Sequence, residues 1–278
     1  MSASLAILDY SVHGNAIDAD SDRLLAAAAT AAGLETVVQP IAAGREIRPQ
    51  AERVWLRYDL RSRQELSWIV SIAAGLRRRG HRVYPPPAAI LLAEDKWETY
   101  HALRAAAVPT LRTFLGLELD RAGLPLILKP RAGWGGQGNR VVRSEQERES
   151  LELLPAEDYI AQGFVEHSRT WIVPVAQGRE LPAIEACREP QRDGDVRVLP
   201  LPEGGSGLGA AAVAAVGLPA GTVDLIESSQ GPVVLEVNSA PRIPYPDLPG
   251  VDLATPLVRA VLEWLDTSAE PSHADPHR

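Results

Sequence analysis

The sequence predicts a mixed α/β (α+β) protein in which an open α/β N-terminal layer precedes antiparallel hairpins. Three stretches predict it. Roughly the first ninety residues alternate strand, helix and strand, the pattern of an open α/β layer. A glycine-rich stretch, RAGWGGQGNR, then joins two short β-rich runs. Near the end, GTVDLIESSQGPVVLEVNSAPR places two β-rich runs, Thr222–Glu227 and Pro232–Val237, around the turn residues Ser229, Gln230 and Gly231. Such a turn between apolar runs reads as a β-hairpin with glycine at its left-handed corner.

Taken in order, Leu5–Leu8 is the first strand. A helix follows from Asp22 to Ala32, capped by Asp20 or Ser21 and stopped by Gly33. Thr36–Ile41 and Val54–Tyr58 are strands, Glu65–Arg79 a helix ended by Gly80, and Arg82–Tyr84 a short strand. The run Pro85-Pro86-Pro87 punctuates the layer. Asp95 at an N-cap position, with Glu98 three residues on, starts a helix from Lys96 to Ala107 that Pro109 stops. Leu124–Lys129 and Arg140–Val142 are strands, followed by a helix from Glu145 to Leu154 and a strand at Tyr159–Val165. Thr170–Val175 and Leu181–Ala186 form a hairpin around Gln177-Gly178. Gly209–Val216 is a short helix before the final hairpin, Arg259–Leu265 a last helix, and the tail beyond Thr267 is expected to be disordered.

Composition narrows the function. The chain has 278 residues and a net charge of −8, which argues against a general nucleic-acid binder. No apolar run is long enough for a membrane span, and the start, MSASLAILDY, lacks a basic signal-peptide region. A single cysteine, Cys187, excludes an internal disulfide and fits a reducing, cytoplasmic setting. Arginine supplies nearly all the positive charge; the lysines are Lys96 and Lys129, and the asparagines Asn15, Asn139 and Asn238. A coding bias toward arginine makes the surviving lysines informative, because a compact point charge is what arginine cannot replace.

Several residues carry candidate chemistry. If the hairpin loop is three residues, Asp224 falls opposite Glu236, and alternation puts Asn238 on the face of Glu236 while Val233, Leu235 and Val237 point away. Those oxygens suit a hard cation; a solvated polar face is the alternative, and spacing alone leaves both open. Lys96 opposes the dipole of the helix it begins, which an anionic ligand there would explain. The glycine loop, with Gly133, Gly135, Gly136 and Gly138, can bring amides close to phosphate oxygens. It is neither a Rossmann fingerprint nor a P-loop, since a strand follows it and no Gly-Lys-Ser/Thr ends it. Arg57 ends a strand where α/β sheets meet ligands.

In their order and distances these pieces resemble the ATP-grasp superfamily, and within it the RimK-type carboxylate–amine ligases. The resemblance spans roughly residues 50 to 245 and rests on EDKWETYHALRAAAVPT, LILKPRAGWGGQG, AQGFVEHSRTWIVPV, CREPQRDGDVRVLPLPEGG and the final hairpin. It implies an ATP-grasp fold at 95–266, with subdomains at about 95–160 and 161–266, preceded by the α/β domain at 1–94 and followed by a tail at 267–278. It implies ATP as cofactor, with Lys96 and Lys129 on its phosphates and Lys129 near the adenine as well, the glycine loop closing over the phosphates, Gln162 among the nucleotide-binding residues and Glu166 on the ribose. Asp224, Glu236 and Asn238 would hold two magnesium ions, for which manganese can substitute. Arg169 and Arg197, with Arg242 added, would face the γ-phosphate and an acceptor carboxylate.

Two departures concern the acceptor side. Leu199 stands where the family usually has Asn, and Glu203 where it has a basic residue; Cys187 also replaces the first of an Arg pair. The implied activity is amide or peptide bond formation through an acyl phosphate, with a small-molecule or peptide carboxylate and an amine as partners. Homo-oligomerisation is left open. Glu203 argues for an amine partner other than glutamate. A ligase acting on a ribosomal peptide and an inactive nucleotide-binding module are the alternatives.

Overall fold

The structure, a computed structural model, describes residues 4–10, 16–42, 45–133, 135–151, 155–167, 169–185, 197–243 and 250–268. Cys187, Arg188, Trp134 and the tail from 269 lie outside them. In chain order the elements are β1 (Ser4–Tyr10), α1 (Ala16–Ala31), β2 (Glu35–Pro40), β3 (Arg53–Tyr58), α2 (Arg63–Arg78), β4 (Arg82–Tyr84), α3 (Pro87–Glu94) and α4 (Lys96–Ala105). Then come β5 (Thr113–Leu115), β6 (Leu126–Pro130), β7 (Arg140–Val142), α5 (Glu145–Glu149), β8 (Tyr159–Gly163), β9 (Trp171–Ala176), β10 (Arg179–Glu180) and β11 (Ile184–Glu185). The chain ends on α6 (Leu208–Ala215), β12 (Ala220–Ser228), β13 (Gly231–Asn238) and α7 (Ala254–Thr267).

Three sheets result. The first, in order β2-β1-β3-β4, is parallel throughout, as expected of strands joined by helices. The second runs β5-β8-β6-β7 and the third β10-β9-β12-β13, with β11 also on β9; both are antiparallel. One apolar core joins the first and third sheets: Leu5, Ile7, Trp55 and Tyr84 belong to the same buried cluster as Val173, Val223, Val237 and Leu257. The second sheet has its own small core around Phe114, Leu126, Leu128 and Ala161.

Several boundaries differ from the sequence reading. Helix α1 starts at Ala16, so Ser21 is an interior residue rather than a cap; it is fully buried and its Oγ accepts the Ile243 N–H. Helix α3 occupies what the prolines were taken to punctuate. Pro87 is its first residue, where a missing N–H costs nothing and φ is already helical. Helix α4 stops two residues early because Ala107 turns left-handed at φ 55°, with the Val108 N–H closing onto Leu103 O. Of the expected strand Leu181–Ala186 only β11 (Ile184–Glu185) forms; β10 lies just before it, and Pro182, which has no N–H to give a ladder, stands between them.

The last hairpin is the most instructive difference. Ser228 pairs Gly231, so the turn is the two residues Ser229 and Gln230, one fewer than expected. A bulge between Asp224 and Leu225 restores the count, and Asp224 still faces Glu236. Leu225 pairs Val234, which leaves Leu235 as the extra residue. A bulged residue escapes strict alternation, and Leu235 accordingly lines a cleft with Glu236 instead of entering the core with Val233, Val234 and Val237.

Candidate nucleotide and metal site

A cleft of about 140 Å³ is bounded by Lys96, Lys129, Gly133, Thr170, Asp224 and Glu236. Complete small-ligand pockets are usually about 300 Å³ or more, so this volume fits the phosphate and cation end of a larger ligand. A larger open groove, about 470 Å³, lies against α2 between Arg45, Trp68 and Arg79. The residues converging from separate elements are in the smaller cleft, and that is where the chemistry belongs.

Helix α4 delivers Lys96. Asp95 caps the helix by accepting the Trp97 N–H at 3.0 Å, and its two oxygens hold Arg131 at 2.7 and 3.1 Å. Lys96 N–H in turn donates to Arg131 O at 2.8 Å. The start of the helix and the root of the glycine loop are therefore one unit. From it the Lys96 ammonium reaches Gly133 O at 2.5 Å and lies 3.7 Å from Glu236 Oε2.

Strand β6 delivers Lys129. Leu126 and Leu128 point into the small core, so Ile127 and Lys129 occupy the opposite face. Gln162 pairs Ile127 across the ladder and shares that face. Its Nε2 donates to Thr113 Oγ at 2.8 Å, while its Oε1, though buried, has no hydrogen-bond partner among the described residues. Burial pushes the Lys129 ammonium down to about 8, partly opposed by the Glu236 carboxylate. The loop after β6 turns back antiparallel to β7, as expected. At Gly138 a side chain is excluded twice, by φ +78° and by Pro130 Cγ only 2.9 Å from where a Cβ would stand.

Opposite the lysines stand Asp224 and Glu236, directly paired across the β12–β13 ladder. Burial, and then the neighbouring Glu236 carboxylate, raise the Asp224 carboxyl well above the usual range. Two acidic oxygen donors at this spacing, faced by two ammonium groups, fit a hard divalent cation bridging to phosphate oxygens. Asn238 follows two residues on, paired with Thr222.

The other expected residues fall in separate places. Gly133 and Gly136 line the cleft, and Gly135 shares the loop with φ +68°. Glu166 is exposed beyond the end of β8. Arg169 precedes the cleft residue Thr170 and lies 3.4 Å from Glu185, whose N–H donates to Arg197 O at 3.0 Å. Arg242 stands against the first sheet, 3.4 Å from Asp59. Arg57 is a buried structural residue, bonded to Asp22 at 2.8 Å. Sequence reasoning missed Leu235, Gln137 and Thr170 on the cleft; only Gln137 carried a signal, since it lies inside the glycine loop.

The fold is that of ATP-grasp proteins. Residues 93–191 match the family model described as the ATP-grasp domain. A protein named probable alpha-L-glutamate ligase from Mannheimia succiniciproducens is 28% identical over 195 residues, covering 62% of this chain and 64% of that protein. The chain thus spans less than two thirds of that relative. Among solved structures, a RimK domain ATP-grasp protein from Sphaerobacter thermophilus superposes with TM-score 0.71 at 19% identity, covering 92% of this chain and 99% of that one. The D-cycloserine synthetase DcsG gives TM-score 0.74 at 20% identity, covering 94% and 100%. Among the described residues no helix is long and apolar enough to cross a membrane.

Proposed function

We propose that the chain is an ATP-dependent carboxylate–amine ligase. The observation that carries this reading is the opposition, inside one cleft, of Lys96 and Lys129 to the paired carboxylates of Asp224 and Glu236. Lys96, Lys129 and the amides of the glycine loop would hold ATP phosphates. Asp224, Glu236 and Asn238 would hold two magnesium ions, which supply charge neutralisation at the transferred phosphoryl group. The unpartnered Gln162 Oε1 is an acceptor suited to the exocyclic amine of adenine, and Glu166 is assigned to the ribose.

The chain supplies position and field, and no side-chain nucleophile. A substrate carboxylate oxygen bonds to the γ-phosphorus as the bond from that phosphorus to ADP breaks. An amine then bonds to the acyl carbon, phosphate leaves, and the amine proton passes to solvent. Arg169, Arg197 and Arg242 are assigned to the anionic groups of this sequence. Leu199 and Glu203 favour a neutral or basic amino acid, or a small peptide amine, over glutamate.

The test is ADP release over pairs of amino acids and small peptides, with mass spectrometry of the products and Glu236→Ala as the blank. Amide product with stoichiometric ADP is the expected result. ADP release matched by Glu236→Ala would remove the metal assignment, and absence of turnover with every pair would favour a nucleotide-binding module.

A further inference from the structure

Asp59 is a buried charge that the site described above does not use. It follows β3 and is 2% exposed, yet among the described residues neither carboxylate oxygen accepts a hydrogen bond. The guanidinium groups of Arg242 and Arg61 approach Oδ2 at 3.4 and 3.6 Å, which balances charge without supplying a hydrogen bond. Leaving such a group without a donor is costly.

Asp59 stands at the carboxyl end of a parallel sheet, where open α/β sheets take ligands. Directly after the metal hairpin the chain is pinned to this edge: the Ser239 hydroxyl lies 2.5 Å from Tyr58 OH, and Ile243 N–H donates to Ser21. From the other side Arg61 Nη1 donates to Gln137 Oε1 of the glycine loop at 3.3 Å. Asp59 therefore lies between the strap that follows the cation ligands and the loop that covers the phosphates.

We propose that Asp59 is a specificity residue that binds a protonated primary amino group on the ligase's substrate. The proposal rests on the ligase reading. A cation with several hydrogen-bond donors matches an anionic acceptor whose charge is balanced but whose oxygens are unbonded. A protonated amine is no nucleophile, so the group held here is a handle: the substrate carries a free amino group in addition to its reacting group. Amino acids and peptides with a free N-terminus qualify, and N-acylated acids do not.

The test is binding, measured by calorimetry on the full chain with magnesium and ADP present. The probes are alanine of both hands, glutamate, lysine and dialanine, each beside its N-acetyl form. At least one free amine should bind about tenfold or more tightly than its acetylated form, and Asp59→Asn should erase that preference while leaving ADP affinity unchanged. Equal binding of free and acetylated probes, no binding of any free amine at millimolar concentration, or a preference that survives in Asp59→Asn would overturn the proposal. If Asp59→Asn does not fold, the acetyl comparison on the unaltered chain still decides. Amines that bind with this preference but never yield ADP would fault the ligase reading and not the Asp59 assignment.

Discussion

Lys129 shows how a residue's environment narrows what can replace it. Its ammonium is buried and pushed down to about 8, so the site holds a compact charge with little water around it. Arginine keeps the charge but brings a planar fork that needs a wider site and different oxygen geometry. Lys129→Arg is expected to lower kcat/KM for ATP by about a hundredfold, a loss of roughly 3 kcal/mol in transition-state stabilisation. Steady-state kinetics at varied ATP measures it, and full activity would reduce Lys129 to a survivor of codon bias. Asp224 gives a second prediction. Its carboxyl is raised by burial and by Glu236, so the folded chain holds that proton more tightly than the unfolded chain does. The associated stability is present below the ordinary aspartate range, about pH 4, and is lost as pH rises through the folded value. Asparagine cannot lose this proton. The melting temperature of Asp224→Asn, without metal, should therefore exceed that of the unaltered chain by a margin that widens upward from about pH 4. Magnesium with ATP should then raise the unaltered chain and leave the variant where it was.

At the scale of elements, what was legible in the sequence depended on whether local chemistry or tertiary packing decided the outcome. Strands β4 and β7 match their expected limits, because glycine, proline and charge bracket them locally. The pairing of Asp224 with Glu236 was legible although the turn was misjudged, since the bulge returns the residue that the shorter turn removes. Leu235 was not legible: nothing local marks which residue of a strand will be the extra one. Helix α3 was hidden because the same prolines end one element and begin the next. Candidate residues from the lysines to the carboxylates do converge, whereas Arg242, added to Arg169 and Arg197 because it follows the final hairpin, stands beside Asp59 at the first sheet. The glycine loop gives the prediction at this scale. Gly138→Ala forces a side chain into φ +78° against Pro130, at a cost of about 1–2 kcal/mol. Gly138 is exposed, so the expected result is a raised KM for ATP with a melting temperature lowered by only a few degrees, on the order expected for a loop of this kind. Unchanged ATP kinetics would separate the loop from the nucleotide.

The whole molecule raises the question of how independent its parts are. The proposed boundary between residues 94 and 95 follows the resemblance, and α3 meets α4 there with only Asp95 between them. Across that boundary, however, the N-terminal layer shares its core with the β12–β13 hairpin. Tyr84 of β4 packs edge-on against Trp55 of β3 and Trp264 of α7, each at 5.7 Å between ring centres. Its hydroxyl donates to Ala220 O on β12 at 2.5 Å. Helix α7 is further tied to the first sheet by Arg53 and Asp266. A layer held this way cannot expose its apolar face without exposing that of the hairpin sheet as well. Trp264→Ala, which removes a ring from the junction, is expected to cost about 3 kcal/mol. The loss should appear as a lower midpoint in a single denaturant transition, reported alike by far-ultraviolet circular dichroism and by fluorescence of the remaining tryptophans. Two separated transitions, or a stable proteolytic fragment ending near residue 94, would show that the layer folds by itself. A single transition would mean that the proposed cation ligands on β12 and β13 are held in register by the N-terminal layer. Trp264→Ala would then weaken magnesium-dependent ATP binding although Trp264 is not among the residues lining the cleft.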